Sequence, residues 1–105
     1  MTSLNQQQEL NLETFVQQHG CVAKPRATTY LFAIGSDYYS SKCECLSQEE
    51  MLKFVGRSPD DTRIVRVMHD QTFRRLAPGE SVCFTEPGVE RFVTIRSVCK
   101  DGGVA

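Results

Sequence analysis

The sequence has no tryptophan, no long apolar run and no marked excess of charge of either sign. Its 105 residues include twelve Lys or Arg and thirteen Asp or Glu, a formal net charge of −1. This balance excludes a strongly cationic nucleic-acid binder and an acidic DNA mimic. The 40% hydrophobic and 24% charged residues also exclude a disordered or fibrous chain. The length predicts one domain over residues 1–105.

Targeting and membrane signals are also missing. The longest apolar run, Tyr30–Ile34, is strand-sized, whereas a membrane span needs about 18 residues. Residues 1–9 have neither the basic stretch nor the apolar stretch of a secretory signal. We therefore predict a cytoplasmic protein that does not contact a membrane.

No motif for catalysis or cofactor binding is present. The chain lacks G-x-G-x-x-G, G-x-x-x-x-G-K and H-E-x-x-H. His69 precedes Asp70 at a predicted strand end, but neighbouring strand residues point to opposite faces, which is a poor arrangement for sharing a proton. We predict that the protein is not an enzyme and has no catalytic, cofactor-binding or metal-binding residues.

The five cysteines offer an alternative that the sequence leaves open. An odd number cannot all pair internally, and a reducing cytosol keeps thiols free. Cys43 and Cys45 are only one residue apart, whereas zinc-binding pairs are usually two to four apart. We therefore expect all five to be small buried hydrophobic residues. A thiol- or metal-dependent enzyme stays an alternative.

Two helices are predicted. Residues 4–18 have apolar side chains at helical spacing after a capping pair, Ser3 and Gln6, with residues 1–8 frayed. The stronger signal is Ser47-Gln48-Glu49-Glu50, a capping box flanked by apolar residues that fit a hydrophobic staple. It predicts a short helix over about 47–56, ended by Gly56.

The remaining segments predict strands joined by short turns. They are Thr28–Ile34, Tyr39–Leu46, Arg63–Met68, Thr72–Leu76, Ser81–Thr85 and Val89–Val98, followed by a flexible tail over 101–105. Short connections favour antiparallel pairing. The predicted fold class is α+β, with a mainly antiparallel sheet of four to five strands and both helices packed on it.

The order strand, strand, capped helix, strand, strand in residues 28–76 resembles that of many small phage-encoded inhibitors, including some anti-CRISPR proteins. This resemblance is one of fold and has no motif behind it. It implies a protein that acts by binding another protein.

The distribution of charge is more informative than its sum. Residues 1–56 carry four bases and six acids, whereas residues 57–105 carry eight bases, seven of them Arg, and seven acids. Arg suits bidentate contacts and is enriched at interfaces, and exposed Tyr serves as an anchor there. We predict a partner-binding surface formed by Tyr38, Tyr39, Arg63, Arg66, Arg74 and Arg75.

These observations favour a non-catalytic interaction module, an inhibitor or adaptor of phage or mobile-element type that binds another protein. The first alternative is a nucleic-acid-binding module that uses the cluster between Arg57 and Arg75, although Asp60, Asp61 and Asp70 interrupt it. Solvated charges that protect a sheet edge are a third interpretation of the same arginines. A homodimer formed through an open strand edge also agrees with the sequence.

Overall fold

A computed structural model describes residues 8–77 and 79–96. These residues form two helices and eight strands. In chain order they are β1 (Glu9–Asn11), α1 (Leu12–His19), β2 (Thr29–Ile34), β3 (Asp37–Ser41), β4 (Cys45–Ser47), α2 (Gln48–Phe54), β5 (Thr62–Met68), β6 (Phe73–Arg75), β7 (Ser81–Cys83) and β8 (Val89–Arg96).

Six of these strands form one sheet in which β3 and β6 lie at opposite edges. The order across it is β3, β2, β8, β5, β6. β1 and β8 share the edge of β2 that faces away from β3. β1 pairs with residues 29–31 of β2, and β8 pairs with β2 at one position, Ile34 with Phe92. These two pairings are parallel, whereas the β2–β3, β5–β8 and β5–β6 pairings are antiparallel. The predicted α+β class with a mainly antiparallel sheet is confirmed.

The two helices lie on opposite faces of this sheet, as two neighbouring tyrosines of β3 demonstrate. Tyr38 donates a hydrogen bond to Glu13 of α1, while the ring of Tyr39 lies 5.4 Å from that of Phe54 of α2. Adjacent residues of a strand point to opposite faces. The core on the α2 side is aromatic, with Phe32 stacked on Phe84 at 4.7 Å.

The prediction of α2 and of its capping box is confirmed, although the helix ends at Phe54. Ser47 is the N-cap: its hydroxyl accepts from the Glu50 N–H at 3.1 Å, and the Glu50 carboxylate accepts from the Ser47 N–H at 2.9 Å. Leu46 and Met51, the predicted staple pair, are both buried in the core. After the helix Gly56 adopts a positive φ of 68°, which a side chain would disfavour.

The first helix is shorter than predicted. Its N-cap is Asn11, whose side chain accepts from the Thr14 N–H at 3.1 Å, and Leu12 begins the helix. The residues before it form β1, because they can satisfy the open backbone groups of β2. The predicted capping pair at Ser3 and Gln6 lies outside the described residues, as does the tail over 101–105.

The predicted strand Tyr39–Leu46 is wrong in its second half. The chain leaves the main sheet after Ser41, and it bends over residues 42–44. The Ser41 hydroxyl accepts from the Cys43 N–H at 3.0 Å and donates to the Cys43 carbonyl at 3.1 Å, which stabilises this bend. β4 then pairs antiparallel with β7 in a separate two-stranded sheet.

The Ser47 capping box makes a stability prediction. Ser47→Ala removes the acceptor for the Glu50 N–H, and we expect it to lower the free energy of unfolding by about 1 kcal/mol in urea denaturation. Ser47→Thr keeps a hydroxyl at the same place and is the matched control. An equal loss in both variants would contradict the capping role.

Candidate functional site

The β6 edge, defined here as Phe73, Arg74 and Arg75, places an exposed apolar side chain next to two arginines. All three residues are exposed, and the Phe73 side chain is 67% exposed. Among the described residues, β6 pairs with β5 and with no other strand. Its second edge is therefore open.

The register of β6 determines which backbone groups are free. The Met68 N–H donates to the Thr72 carbonyl and the Leu76 N–H donates to the Ile64 carbonyl. Hydrogen-bonded pairs alternate with non-hydrogen-bonded pairs in an antiparallel ladder, so Arg74 bonds back to Arg66 of β5. The N–H and C=O groups of Phe73 and Arg75 consequently point away from the sheet.

A compact turn holds β6 against β5. The Thr72 hydroxyl and the Thr72 N–H both donate to the Asp70 carboxylate, at 2.6 Å and 3.1 Å. Both bonds lower the pKa of Asp70, and the bond from the hydroxyl has the larger effect. Gln71 occupies the left-handed region at φ 72°. This turn joins two of the predicted strands, Arg63–Met68 and Thr72–Leu76, and the Asp70 carboxylate bonds to Thr72 within the turn rather than to His69.

Arg66, predicted as a contact residue, is buried and serves the fold instead. Its side chain is only 10% exposed; Nε donates to Glu86 at 3.0 Å and Nη2 donates to Glu80 at 3.1 Å. The hydrogen bond from the Ala77 N–H lowers the pKa of Glu80 most, and the hydrogen bond from the Arg66 guanidinium lowers it further. The central position of β5 places this arginine inside the domain, so it does not belong to a contact surface.

The other predicted contact residues are dispersed. Tyr39 packs on Phe32 in the core, and Arg63 donates to the main-chain carbonyls of Pro59 and Thr62. Tyr38 is 66% exposed but lies on β3. Four strand spacings, about 19 Å, separate β3 from β6. The six residues therefore do not form one surface; Arg74 and Arg75 are adjacent and Tyr38 lies at the opposite edge.

The structure corrects the cysteine prediction. Cys45 and Cys83 lie opposite each other on β4 and β7 and form a disulfide across 38 residues of sequence. Cys21 and Cys43 are exposed free thiols rather than buried hydrophobic residues. Cys99 lies outside the described residues. The pairing was missed because β7 joins β4 only through the tertiary fold, which sequence spacing does not reveal.

Lys24 is a buried lysine that the sequence analysis did not single out. It is 4% exposed, and its ammonium donates to the main-chain carbonyl of Glu86. Burial lowers the pKa of Lys24 to about 8. The electrostatic effect of Glu86, followed in size by that of Cys21, acts in the opposite direction and raises this pKa. Lys24 and Arg66 together fix the segment between β7 and β8 through Glu86.

A buried carboxyl side chain lies where α1 meets β8. Glu90 is the extra residue of a bulge, because Val67 pairs with Arg91 while Met68 pairs with Val89. Its Oε2 accepts from Gln17 at 3.3 Å, and Oε1 is buried without a hydrogen-bond partner among the described residues. The His69 Nδ1 lies 3.9 Å from Oε1. Glu90 of β8 therefore lies between the turn before β6, which it meets at His69, and α1, which it meets at Gln17.

Within residues 8–77 and 79–96, no group of three or more His, Cys, Asp or Glu side chains is arranged to hold a metal ion. No helix in the same part of the chain is long and apolar enough to cross a membrane. Comparison with family models, with curated proteins and with solved structures gives no match to this chain.

The two kinds of arginine are expected to respond differently to substitution. Arg66→Ala removes two ion pairs and leaves a void around a buried stem, and we expect a loss of about 2 kcal/mol in the free energy of unfolding. Arg75→Ala at the exposed edge is the matched control, with a change within about 0.5 kcal/mol. Equal effects in urea denaturation would contradict the structural role of Arg66.

Lys24 is expected to make stability depend on pH. The folded chain releases this proton near pH 8 and the unfolded chain near pH 10.5, so stability rises with pH between these values. From pH 7.5 to 9.5, we expect the free energy of unfolding to gain about 1–2 kcal/mol more in the wild type than in Lys24→Met. Lys53→Met, which removes an exposed lysine, should respond as the wild type does. Equal pH responses in wild type and Lys24→Met would contradict the assignment.

Proposed function

We propose that this chain is a non-catalytic protein-interaction module, and that its β6 edge takes up an extended acidic segment of another protein. The observation that carries the proposal is the open strand edge with outward backbone groups, an exposed phenylalanine and two arginines. Strand addition to such an edge uses main-chain hydrogen bonds for affinity and side chains for specificity.

The charge of the edge favours an acidic partner. Within the part of the chain that the structure describes, Arg74 and Arg75 form no ion pair, whereas Arg66 across the ladder forms two. Arginine forms bidentate hydrogen bonds with carboxylates. A second copy of β6 would bring arginines together, and like charges on adjacent strands are destabilising. The β6 edge is therefore suited to a different chain rather than to self-pairing.

Use as an inhibitor or adaptor of phage type is a further part of the proposal, and it rests on the resemblance of residues 28–76 to small phage-encoded inhibitors. The cytoplasmic location stays a prediction. The Cys45–Cys83 disulfide argues against that location, because disulfides persist mainly in oxidising compartments. A homodimer also stays a prediction; within residues 8–77 and 79–96, β3 pairs with β2 alone and so offers the other open edge.

The proposal is tested with a fluorescent ten-residue peptide that alternates Glu and Val, against a Lys-Val peptide of equal length. We expect the acidic peptide to bind more tightly in anisotropy titrations. Arg74→Glu with Arg75→Glu should weaken binding by about tenfold or more, since in either register of the peptide the arginine that lies on the same face as the glutamates is replaced by a repelling charge. The matched control, Lys53→Glu with Arg57→Glu, makes the same change in net charge away from β6 and should have a small effect.

A proline substitution separates strand addition from simple charge attraction. The Arg75 N–H points out of the sheet, so Arg75→Pro leaves the β5–β6 ladder intact but removes one donor to the incoming strand. We expect Arg75→Pro to bind the acidic peptide more weakly than Arg75→Ala, which loses only the charge. Equal affinities would contradict strand addition.

Nucleic acid is the competing ligand for the same arginines. A duplex oligonucleotide that binds more tightly than the acidic peptide at low salt, with a steep loss of affinity as salt rises, would replace this proposal by the nucleic-acid alternative. The interrupted cluster and the internal neutralisation of Arg66 support the opposite result.

A further inference from the structure

Three sulfur atoms are concentrated at the bend between β3 and β4, away from the β6 edge. The Cys45–Cys83 disulfide joins the two short strands β4 and β7, with Cys45 exposed and Cys83 half-buried. Cys43, two residues before Cys45, is an exposed free thiol. A disulfide that solvent can reach is open to attack by a thiolate, whereas a buried one is protected.

The backbone around Cys43 is held in place by the fold. Both its N–H and its C=O bond to the Ser41 hydroxyl. On the other side, the Glu44 carbonyl accepts from the Phe84 N–H at 2.8 Å, and the Glu44 carboxylate accepts from the Thr85 hydroxyl at 3.1 Å. The thiol is thus carried on a segment anchored both to β3 and to the chain that follows Cys83.

The spacing of Cys43 and Cys45 is compatible with a bond between them. Two residues of fully extended chain separate Cα atoms by about 6.6 Å, close to the upper limit of about 6.8 Å for disulfides. The chain bends over residues 42–44, and a bend shortens this separation. The β2–β3 pairing ends at Ser41, so a Cys43–Cys45 bond lies outside this pairing and leaves it in place.

We propose that Cys43, Cys45 and Cys83 form a thiol–disulfide exchange site. The Cys43 thiolate attacks the Cys45 Sγ, a Cys43–Cys45 bond forms, and the Cys45–Cys83 bond breaks. The bonding electron pair leaves on the Cys83 sulfur as a thiolate, and the proton lost from Cys43 is balanced by solvent protonation of Cys83. There is no net oxidation, so the step needs no external oxidant or reductant.

The exchange has a structural consequence because of what β7 carries. Glu80 and Glu86, the two partners of Arg66, lie on either side of β7. With the Cys45–Cys83 bond intact, the β7 segment, defined here as residues 80–86, is covalently tied to β4. After exchange it is held by hydrogen bonds, ion pairs and packing alone, and the Cys83 thiol becomes available to a disulfide of another molecule.

The experiment uses the full oxidised chain, incubated at pH 8.5 without added thiol, quenched with acid and alkylated. Cleavage after Glu44 separates Cys43 from Cys45, so that mass spectrometry identifies each disulfide. In the wild type we expect alkylated Cys83 and a Cys43–Cys45 linkage to accumulate with time. Cys43→Ser should keep the Cys45–Cys83 bond and leave Cys83 unlabelled, while Cys21→Ser should behave as the wild type.

Two results would overturn the proposal. One is a wild-type chain in which the Cys45–Cys83 bond alone persists while Cys43 is fully alkylated. The other is equal scrambling in Cys43→Ser, which would assign the exchange to a different thiol. Circular dichroism of each variant before incubation verifies that the fold is retained, and a variant that fails this control is replaced by Cys43→Ala, to which the same outcomes apply.

Discussion

The fold depends on the packing of aromatic rings around Phe32, because this is where both sheets and α2 meet. Phe84, which follows β7 of the small sheet, stacks on Phe32 at 4.7 Å, and Phe54 of α2 approaches its edge at 5.5 Å. Phe92 of β8 completes the cluster at 6.1 Å. Aromatic pairs of this geometry add about 0.5–1.5 kcal/mol beyond the burial of their area. A chain without tryptophan thus builds its core from phenylalanine.

That aromatic core explains why charged residues can lie inside so small a domain. The core fixes β5 and the β7 segment, and Arg66 then joins them through Glu80 and Glu86. Lys24, which precedes β2, binds the same segment through the Glu86 carbonyl. Burial of a charge is costly unless it is paired and hydrogen-bonded, and here each cation has oxygen acceptors. Among the described residues, neither Arg74 nor Arg75 forms an ion pair, so positive charge is neutralised by ion pairs on one strand of the β5–β6 ladder and not on the next.

Local signals predicted most of the secondary structure, and tertiary pairing explains the failures. The capping box at Ser47 and the strand of β2 depend on neighbouring residues, so the sequence was sufficient for both. Arg66 and Arg74 have the same side chain and both lie on predicted strands; their roles differ because β5 is central and β6 is at an edge. Phe73 was missed for the same reason, since an apolar residue in a strand indicates a core unless the strand order is known.

The β7 segment combines several structural roles, although its sequence has no distinctive pattern. Its three strand residues are flanked by Glu80 and Glu86, which bind Arg66, and by Phe84, which packs on Phe32. Backbone bonds from Gln48 to Glu80 and from Phe84 to Glu44 tie it to α2 and to the bend before β4. Because these contacts do not pass through sulfur, exchange at Cys83 removes one constraint of several. The covalent bond therefore limits the motion of β7 without determining its place in the fold.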